Sequence, residues 1–324
     1  MSQPTALPGR TGPGGAAGLL VIGDIVTDVV AIHGTPVASG TDTDADIALR
    51  PGGSGANTAA WAAYLGADAR LLGRAGYDSA DWHLSELTKV GVTPLVLTDP
   101  DYPTAVVIAM VDPSGERSML TNRGAGGRIS PADWRADALD GVARLHLSAY
   151  TFFTPSGLDL VRLAVAEAVS RDVTISVDPA STGPLRAFGL DRFLAETAAA
   201  RLIIPNRDEA LLLTGESDPE RAALALSRRY GTAVVKLGGD GALVAVDGEL
   251  RAVAAASGTA GAVVDSTGAG DAFAAGYLTA KLQGADEPQA LEQGIKAGAE
   301  CVALVGGRPR YGLATKHLYP IHAD

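Results

Sequence analysis

The sequence predicts an α/β fold, a doubly wound and mainly parallel sheet with helices on both faces and a small β-sheet as an appendage. Three observations point to it. From residue 19 onward, apolar strand-like runs alternate with amphipathic or Ala-rich stretches of helical length, the pattern of strands joined by crossover helices. Two segments break that rhythm and read as β-structure without helix. At 324 residues and 47% hydrophobic content the chain can bury a large core, and one α/β domain with an appendage fits that length better than two domains.

The elements follow in order. Residues 1–18, rich in Gly, Pro and Ala, lack a continuous apolar core of signal-peptide length and read as a disordered tail ahead of a single domain over 19–324. The first strand, 19–22, is apolar. Residues 29–49 carry Thr, Asp and Val with no helix signal. An Ala-rich helix then runs to about Gly66, and a strand lies near 70–72. Residues 104–121 read as two strands around the turn Asp112-Pro113-Ser114-Gly115. Strands are expected near 143–147, 173–177, 202–204 and 233–237, with helices over 157–171 and 219–230. A Gly- and Ala-rich helix over 288–305 ends at the stop Gly306-Gly307-Arg308-Pro309.

Composition excludes several classes of function. Asp and Glu outnumber Lys and Arg, 37 to 26, for a net charge of −11. An acidic chain without basic runs argues against a nucleic-acid surface, and no nucleic-acid partner is expected. Cys301 is the only cysteine, which rules out a disulfide within the chain, and its apolar neighbours suggest an inert core thiol. The five histidines show no ligand spacing, and His146, in a strand-like run, reads as a packed polar residue. No run is long enough to span a membrane, and a cytoplasmic location is the expectation.

The run Asp265-Ser266-Thr267-Gly268-Ala269-Gly270-Asp271-Ala272-Phe273 carries the most chemistry. A Gly-Ala-Gly turn leaves backbone N–H groups exposed, and where it opens a helix those groups form an anion site reinforced by the helix dipole. Asp271 stands where a base would stand. An anion hole beside a carboxylate base suits phosphoryl transfer to a hydroxyl. An ordinary tight loop with a helix-capping carboxylate accounts for the same run equally well.

Other runs point the same way. In Gly52-Gly53-Ser54-Gly55-Ala56-Asn57 the glycines permit close approach of backbone to a ligand, and Asn57 can donate and accept toward vicinal hydroxyls. The first strand ends in Gly23-Asp24-Ile25-Val26-Thr27-Asp28, and a carboxylate past the carboxyl end of a strand is where open α/β sheets bind ligands. Asn206 and Glu209 share a helix face at Asn-x-x-Glu spacing, which is also the spacing of a helix cap. Residues 234–242 form a strand running into the Gly-rich turn Gly238-Gly239-Asp240-Gly241. The chain has no Gly-x-x-x-x-Gly-Lys-Ser/Thr loop, no Gly-x-Gly-x-x-Gly after its first strand and no His-Arg-Asp catalytic loop.

Run 265–273 resembles the C-terminal signature of the PfkB/ribokinase family of carbohydrate and nucleoside kinases, and run 52–57 resembles its N-terminal signature, Gly-Gly-x-x-Ala-Asn. The resemblance extends in order from about Leu19 to Pro309. It implies a ribokinase-like fold whose small sheet is a lid, built from about 29–49 and 104–121, that closes over the sugar and excludes water. It implies an ATP-dependent phosphotransferase acting on an alcohol group of a small sugar or sugar derivative. Asp271 would be the base and the amides of Gly268, Ala269 and Gly270 the anion hole. Asp28, Gly53 and Asn57 would bind substrate, with Asp24 a second candidate. Asn206, Lys236, Gly238 and Gly241 would contact nucleotide. Asn206 and Glu209 would organise Mg2+ through water, and Asp265 would stand beside a monovalent cation such as K+.

Some positions depart from the family pattern. Asp81 replaces a glycine usual after Gly73-Arg74-Ala75-Gly76-Tyr77-Asp78, Ala105 replaces a glycine after Thr104, and Val26 replaces a polar contact of ribokinase. All lie on the substrate side, so the acceptor stays open. A nucleoside or pseudouridine kinase, with aromatics such as Tyr102, Tyr150, Phe152 and Phe153 stacking on a base, is one alternative. A non-catalytic sugar-binding regulator is another. A homodimer through the lid is the expected assembly, since exposed lid strands need cover.

Overall fold

The computed structural model describes residues 17–112, 117–256 and 263–310. The chain runs β1 (Gly18–Ile22), β2 (Val26–His33), β3 (Ala45–Gly52), α1 (Ser54–Tyr64), β4 (Ala69–Gly76), α2 (Ala80–Lys89), β5 (Thr93–Asp99), β6 (Ala105–Val111) and β7 (Arg117–Asn122). It continues β8 (Val142–Ser148), α3 (Pro155–Ser170), β9 (Thr174–Asp178), α4 (Thr182–Phe188), α5 (Leu190–Glu196), β10 (Leu202–Ile203), α6 (Arg207–Thr214) and α7 (Pro219–Tyr230). It closes with β11 (Thr232–Lys236), β12 (Ala242–Val246), β13 (Glu249–Ala254), α8 (Ala269–Leu282) and α9 (Glu287–Val302).

Among the described residues the large sheet has nine strands in the order β13-β12-β11-β10-β9-β8-β1-β4-β5. From β11 to β5 every pairing is parallel; β12 and β13 add on antiparallel. Short turns cause that reversal, since a tight turn cannot make a crossover. Asp247 and Gly248 join β12 to β13, both with positive φ (50° and 82°), as a type I′ hairpin turn requires. Burial of the sheet is two-sided. In β1, Leu20 and Ile22 belong to the core cluster that also holds Leu158 and Val161 of α3 and Ala222 of α7. Leu19 and Val21 face the other way, with Ala59 and Trp61 of α1 and Ala272 of α8. Helices therefore cover both faces, as the alternation predicted. Cys301 is fully buried in α9, and buried His146 shares a 3.0 Å hydrogen bond with Ser176.

The small sheet, ordered β3-β2-β6-β7, is made of two separated pieces of chain. It is longer than the sequence suggested: β2 begins at Val26 and β3 ends at Gly52. The glycine and aspartate punctuation around these ends masked strand residues that pair only across the sheet, Val26 with Gly52 and with Ala105. Asp28, Val107 and Thr121 form one cross-strand row. One residue along, Leu49, Val29, Ile108 and Leu120 form another, and the period of two sends it to the opposite face. Residues 1–16 of the expected tail and 113–116 of the expected turn lie outside the described residues. Gly18, read as tail, begins β1 and pairs with Val142.

Candidate active site

A cavity of about 870 Å³ lies between the small sheet and the carboxyl ends of β1, β9, β10 and β11. Its wall includes Asp24, Asp28, Asp178, Asn206, Lys236 and Asp271. The crevice past the carboxyl ends of parallel strands is where this sheet type gathers functional groups.

Asp271 sits in the first turn of α8, which Gly268 caps in the left-handed conformation (φ 74°). A side chain on Gly268 would collide with the backbone of Gly307. The first intrahelical bond is Ala272 N–H to Gly268 O at 2.9 Å, and Ala269 N–H turns back to Ser266 O at 3.3 Å. Gly270 and Asp271 therefore present the leading amides of the helix end. One carboxylate oxygen of Asp271 accepts from Ser54 Oγ at 2.8 Å and the other from Asn57 Nδ2 at 3.0 Å. Burial pushes its pKa up to about 7, against the donor from Asn57.

Beside Gly270 lies Lys236, whose Nζ meets Asp178 Oδ2 at 2.6 Å. Burial works against the ammonium, but Asp178 and Glu209 together hold its pKa above the ordinary lysine value. Asn206 and Glu209 form a capping box on α6. Asn206 Oδ1 accepts from Glu209 N–H at 2.9 Å, and Glu209 accepts from Asn206 N–H at 2.8 Å and Nδ2 at 2.7 Å. Glu209 is nonetheless on the cavity wall, and burial with Asp178 nearby raises it to about 7. The Asn-x-x-Glu spacing is thus a helix cap that also lies on the cavity wall. Gly238 and Gly241 line the same end. A side chain at Gly241 (φ 97°) would run into Ala254 O of β13.

On the small-sheet side, Gly53 (φ 94°) packs against Asp24 so closely that a Cβ would lie 2.5 Å from its carbonyl oxygen. Asp24 accepts from Gly55 N–H at 3.1 Å, and burial raises its pKa in spite of that bond. Asp28 reaches about 7 through burial and the charge of Asp24. Asp265 stands behind the loop. Its oxygens accept from Thr267 N–H at 2.9 Å and Gly306 N–H at 3.0 Å, which ties the glycine turn to the chain after α9.

Of the aromatics, Tyr150 lines the cavity, Phe152 is core, Phe153 packs against the core and Tyr102 lies under Arg128 at 4.2 Å. Sequence reasoning missed Asp178, although it stands at the end of a predicted strand much as Asp24 does, and that rule would have found it. It also missed Ser54 as a partner of Asp271, and Arg308, for which the sequence carries no signal. Among the described residues no cluster of three or more His, Cys, Asp or Glu side chains is placed to hold a metal ion, and no helix is long and apolar enough to cross a membrane.

The family model described as pfkB family carbohydrate kinase matches residues 16–310. The chain belongs to that family. It is similar to a ribokinase of Haemophilus influenzae, 28% identical over 299 residues that cover 90% of this chain and 94% of the relative. Among solved structures, a probable sugar kinase of Rhizobium etli CFN 42 superposes with a TM-score of 0.82 at 25% identity, covering 91% of this chain and 95% of that one. An adenosine kinase of Sinorhizobium meliloti follows with 0.80 at 26%, covering 91% and 96%. The pfkB-family match spans both signature runs and both sheets, and the chain is a sugar or nucleoside kinase of that family.

Proposed function

We propose that this pfkB-family kinase transfers the γ-phosphoryl group of ATP to a hydroxyl of a small sugar or sugar derivative, with Asp271 as the base. The observation that carries the reading is the position of Asp271, a carboxylate with a pKa of about 7 in the first turn of α8, on the wall of the cavity. A base near neutrality is half deprotonated at working pH yet strong enough to take a hydroxyl proton. Of the expected amides of Gly268, Ala269 and Gly270, that of Ala269 is turned back to Ser266 O, so Gly270 at the helix end is the one that stabilises the charge of the moving group.

The acceptor lies between Asp271 and the small sheet, where Asp28 and the backbone at Gly53 orient its hydroxyls and Asn57 holds both base and substrate. Lys236, Gly238, Gly241 and Asn206 receive the nucleotide. Mg2+ fits this donor set only as a nucleotide-borne ion, because Asn206 and Glu209 satisfy each other and no protein cage surrounds them among the described residues. They would support it through water, and bound there it neutralises charge on the phosphates. K+ is proposed beside Asp265, as the ion that orders the turn; equal rates in K+ and Tris buffers would reject it.

Closure of the small sheet as a lid removes water, the competing acceptor. Its outer row, with Leu49 and Leu120 each 60% exposed, is the face proposed for a homodimer. A nucleoside acceptor is the second reading, favoured by Tyr150 on the cavity wall. ADP release across pentoses, hexoses, sugar acids and nucleosides, with Asp271→Asn as the blank, tests the proposal. A signal that depends on acceptor and vanishes in the variant supports it and selects sugar over nucleoside. ADP release that survives in the variant removes Asp271 as base, and tight binding of acceptor without ADP release favours a sugar-binding regulator.

A further inference from the structure

Resting on the reading of Asp271 as base, we propose that Arg308 is a positioning residue for it, acting through the side chain of Asn57. Arg308 belongs to the stretch after α9 that is wedged among the parts of the site. Gly306 N–H donates to Asp265, and Gly307 O accepts from Trp61 Nε1 of α1 at 2.9 Å. Arg308 Nη2 donates to Gly52 O, the end of β3, at 3.1 Å, and Nε donates to Asn57 Oδ1 at 3.4 Å. Gly307 closes the remaining side, since a Cβ there would collide with Asn57 Nδ2.

Asn57 stands between a group that only donates and a group that only accepts. A guanidinium has no acceptor and an ionised carboxylate no donor. One orientation of the buried amide satisfies both neighbours, Oδ1 toward Arg308 and Nδ2 toward Asp271. A half-turn about its last torsion would set oxygen against carboxylate and NH2 against guanidinium. Arg308 therefore selects the orientation that keeps a donor on the base. Arg308 remains a cation: burial lowers its pKa only to about 10. Its Nη1 is buried without a partner, a cost that packing alone does not explain.

Several groups face Asp271. Ser54 and Asn57 come from α1, Asp178 from β9 and Lys236 from β11. Tyr150 after β8 and Cys301 of α9 also feel its charge. Of these, the Asn57 donor is the one that Arg308 controls. Losing it moves the Asp271 pKa upward.

The test is a titration of the full chain carrying 13C-labelled aspartate, with the Asp271 signal assigned by its loss in Asp271→Asn. Arg308→Met is expected to move the Asp271 midpoint upward, in the direction of Asn57→Ala, and to add nothing in the Asn57→Ala background. In turnover assays kcat falls about tenfold or more with the acid limb of kcat/KM moved upward, while KM for ATP stays within about twofold. An unmoved midpoint in Arg308→Met, or a full shift that persists without Asn57, overturns the proposal. The titration needs no acceptor, so absence of turnover with every acceptor would count against the kinase reading alone. If Arg308→Met does not fold, the same cycle is run with Arg308→Gln, whose neutral amide offers an acceptor as well as donors and so no longer selects one orientation of Asn57, with the same expectation.

Discussion

Lys236 Nζ and Asp178 Oδ2 lie 2.6 Å apart, although their strands, β11 and β9, are not neighbours and β10 runs between them. Two strand spacings amount to about 9.5 Å, and the long lysine stem spans them just past the carboxyl end of short β10. The pair places a cation between two carboxylates, Asp178 and Glu209, and beside the turn that opens α8. A buried cation so placed counters the charge that a polyphosphate would bring.

Lys236→Met leaves Asp178 and Glu209 facing each other without a cation. Removing one partner of a buried pair costs about 3–5 kcal/mol, and the side chains here are 13% and 8% exposed. A large fall in Tm is expected, with a raised KM for ATP; Asp178→Asn should cost less, because the amide still accepts from Lys236. Unchanged melting in Lys236→Met would show that the pair is not needed for the fold.

Asp271→Asn removes the base and keeps its shape. A loss of about 10²–10⁴-fold in kcat is expected from loss of general base catalysis, while calorimetry still detects ATP. Near-normal turnover in this variant would remove Asp271 from the chemistry.

The rate should fall on the acid side of neutrality. Burial holds the carboxyls of Asp271, Asp28 and Glu209 at about 7, and the base must be ionised to act. The profile of kcat/KM reports groups in the free enzyme, so its acid limb should have an apparent pKa near 7. A limb near 4 would mean that Asp271 is not held up by burial.

Stability should run the other way. A carboxyl whose pKa is raised on folding binds more protons folded than unfolded between about pH 4 and 7, so stability falls as pH rises through that window. Asp28→Asn removes one such burial. It should raise stability at pH 8, by something on the order of 1–2 kcal/mol after allowance for solvent, and change little at pH 4. The same variant should raise KM for the acceptor. Equal effects at both pH values would contradict the raised Asp28 pKa.

The row Leu49, Val29, Ile108 and Leu120 offers a separate check. Leu49→Lys should shift sedimentation from dimer to monomer while the main domain stays folded. A wild-type chain that sediments as a monomer at micromolar concentration would dispose of the homodimer.

The sequence determined the large sheet well, because local pattern and tertiary burial agree there: β1 is apolar at every position, and both faces of it are covered. The helix over Pro219–Tyr230 could be read to the residue, since its Asp218 cap and its Gly231 stop are local signals. Each signature run also reached the cavity, because glycines at fixed spacing and a carboxylate at a helix start act through the backbone that carries them. What the sequence could not supply were partners brought from far along the chain. Asp178 and Lys236 meet across an intervening strand. Arg308, 251 residues from Asn57, looked like the end of a helix. The tertiary structure alone decided that it lies against the amide that holds the base, since hydrogen-bond partners are chosen by proximity in space, which no local pattern records.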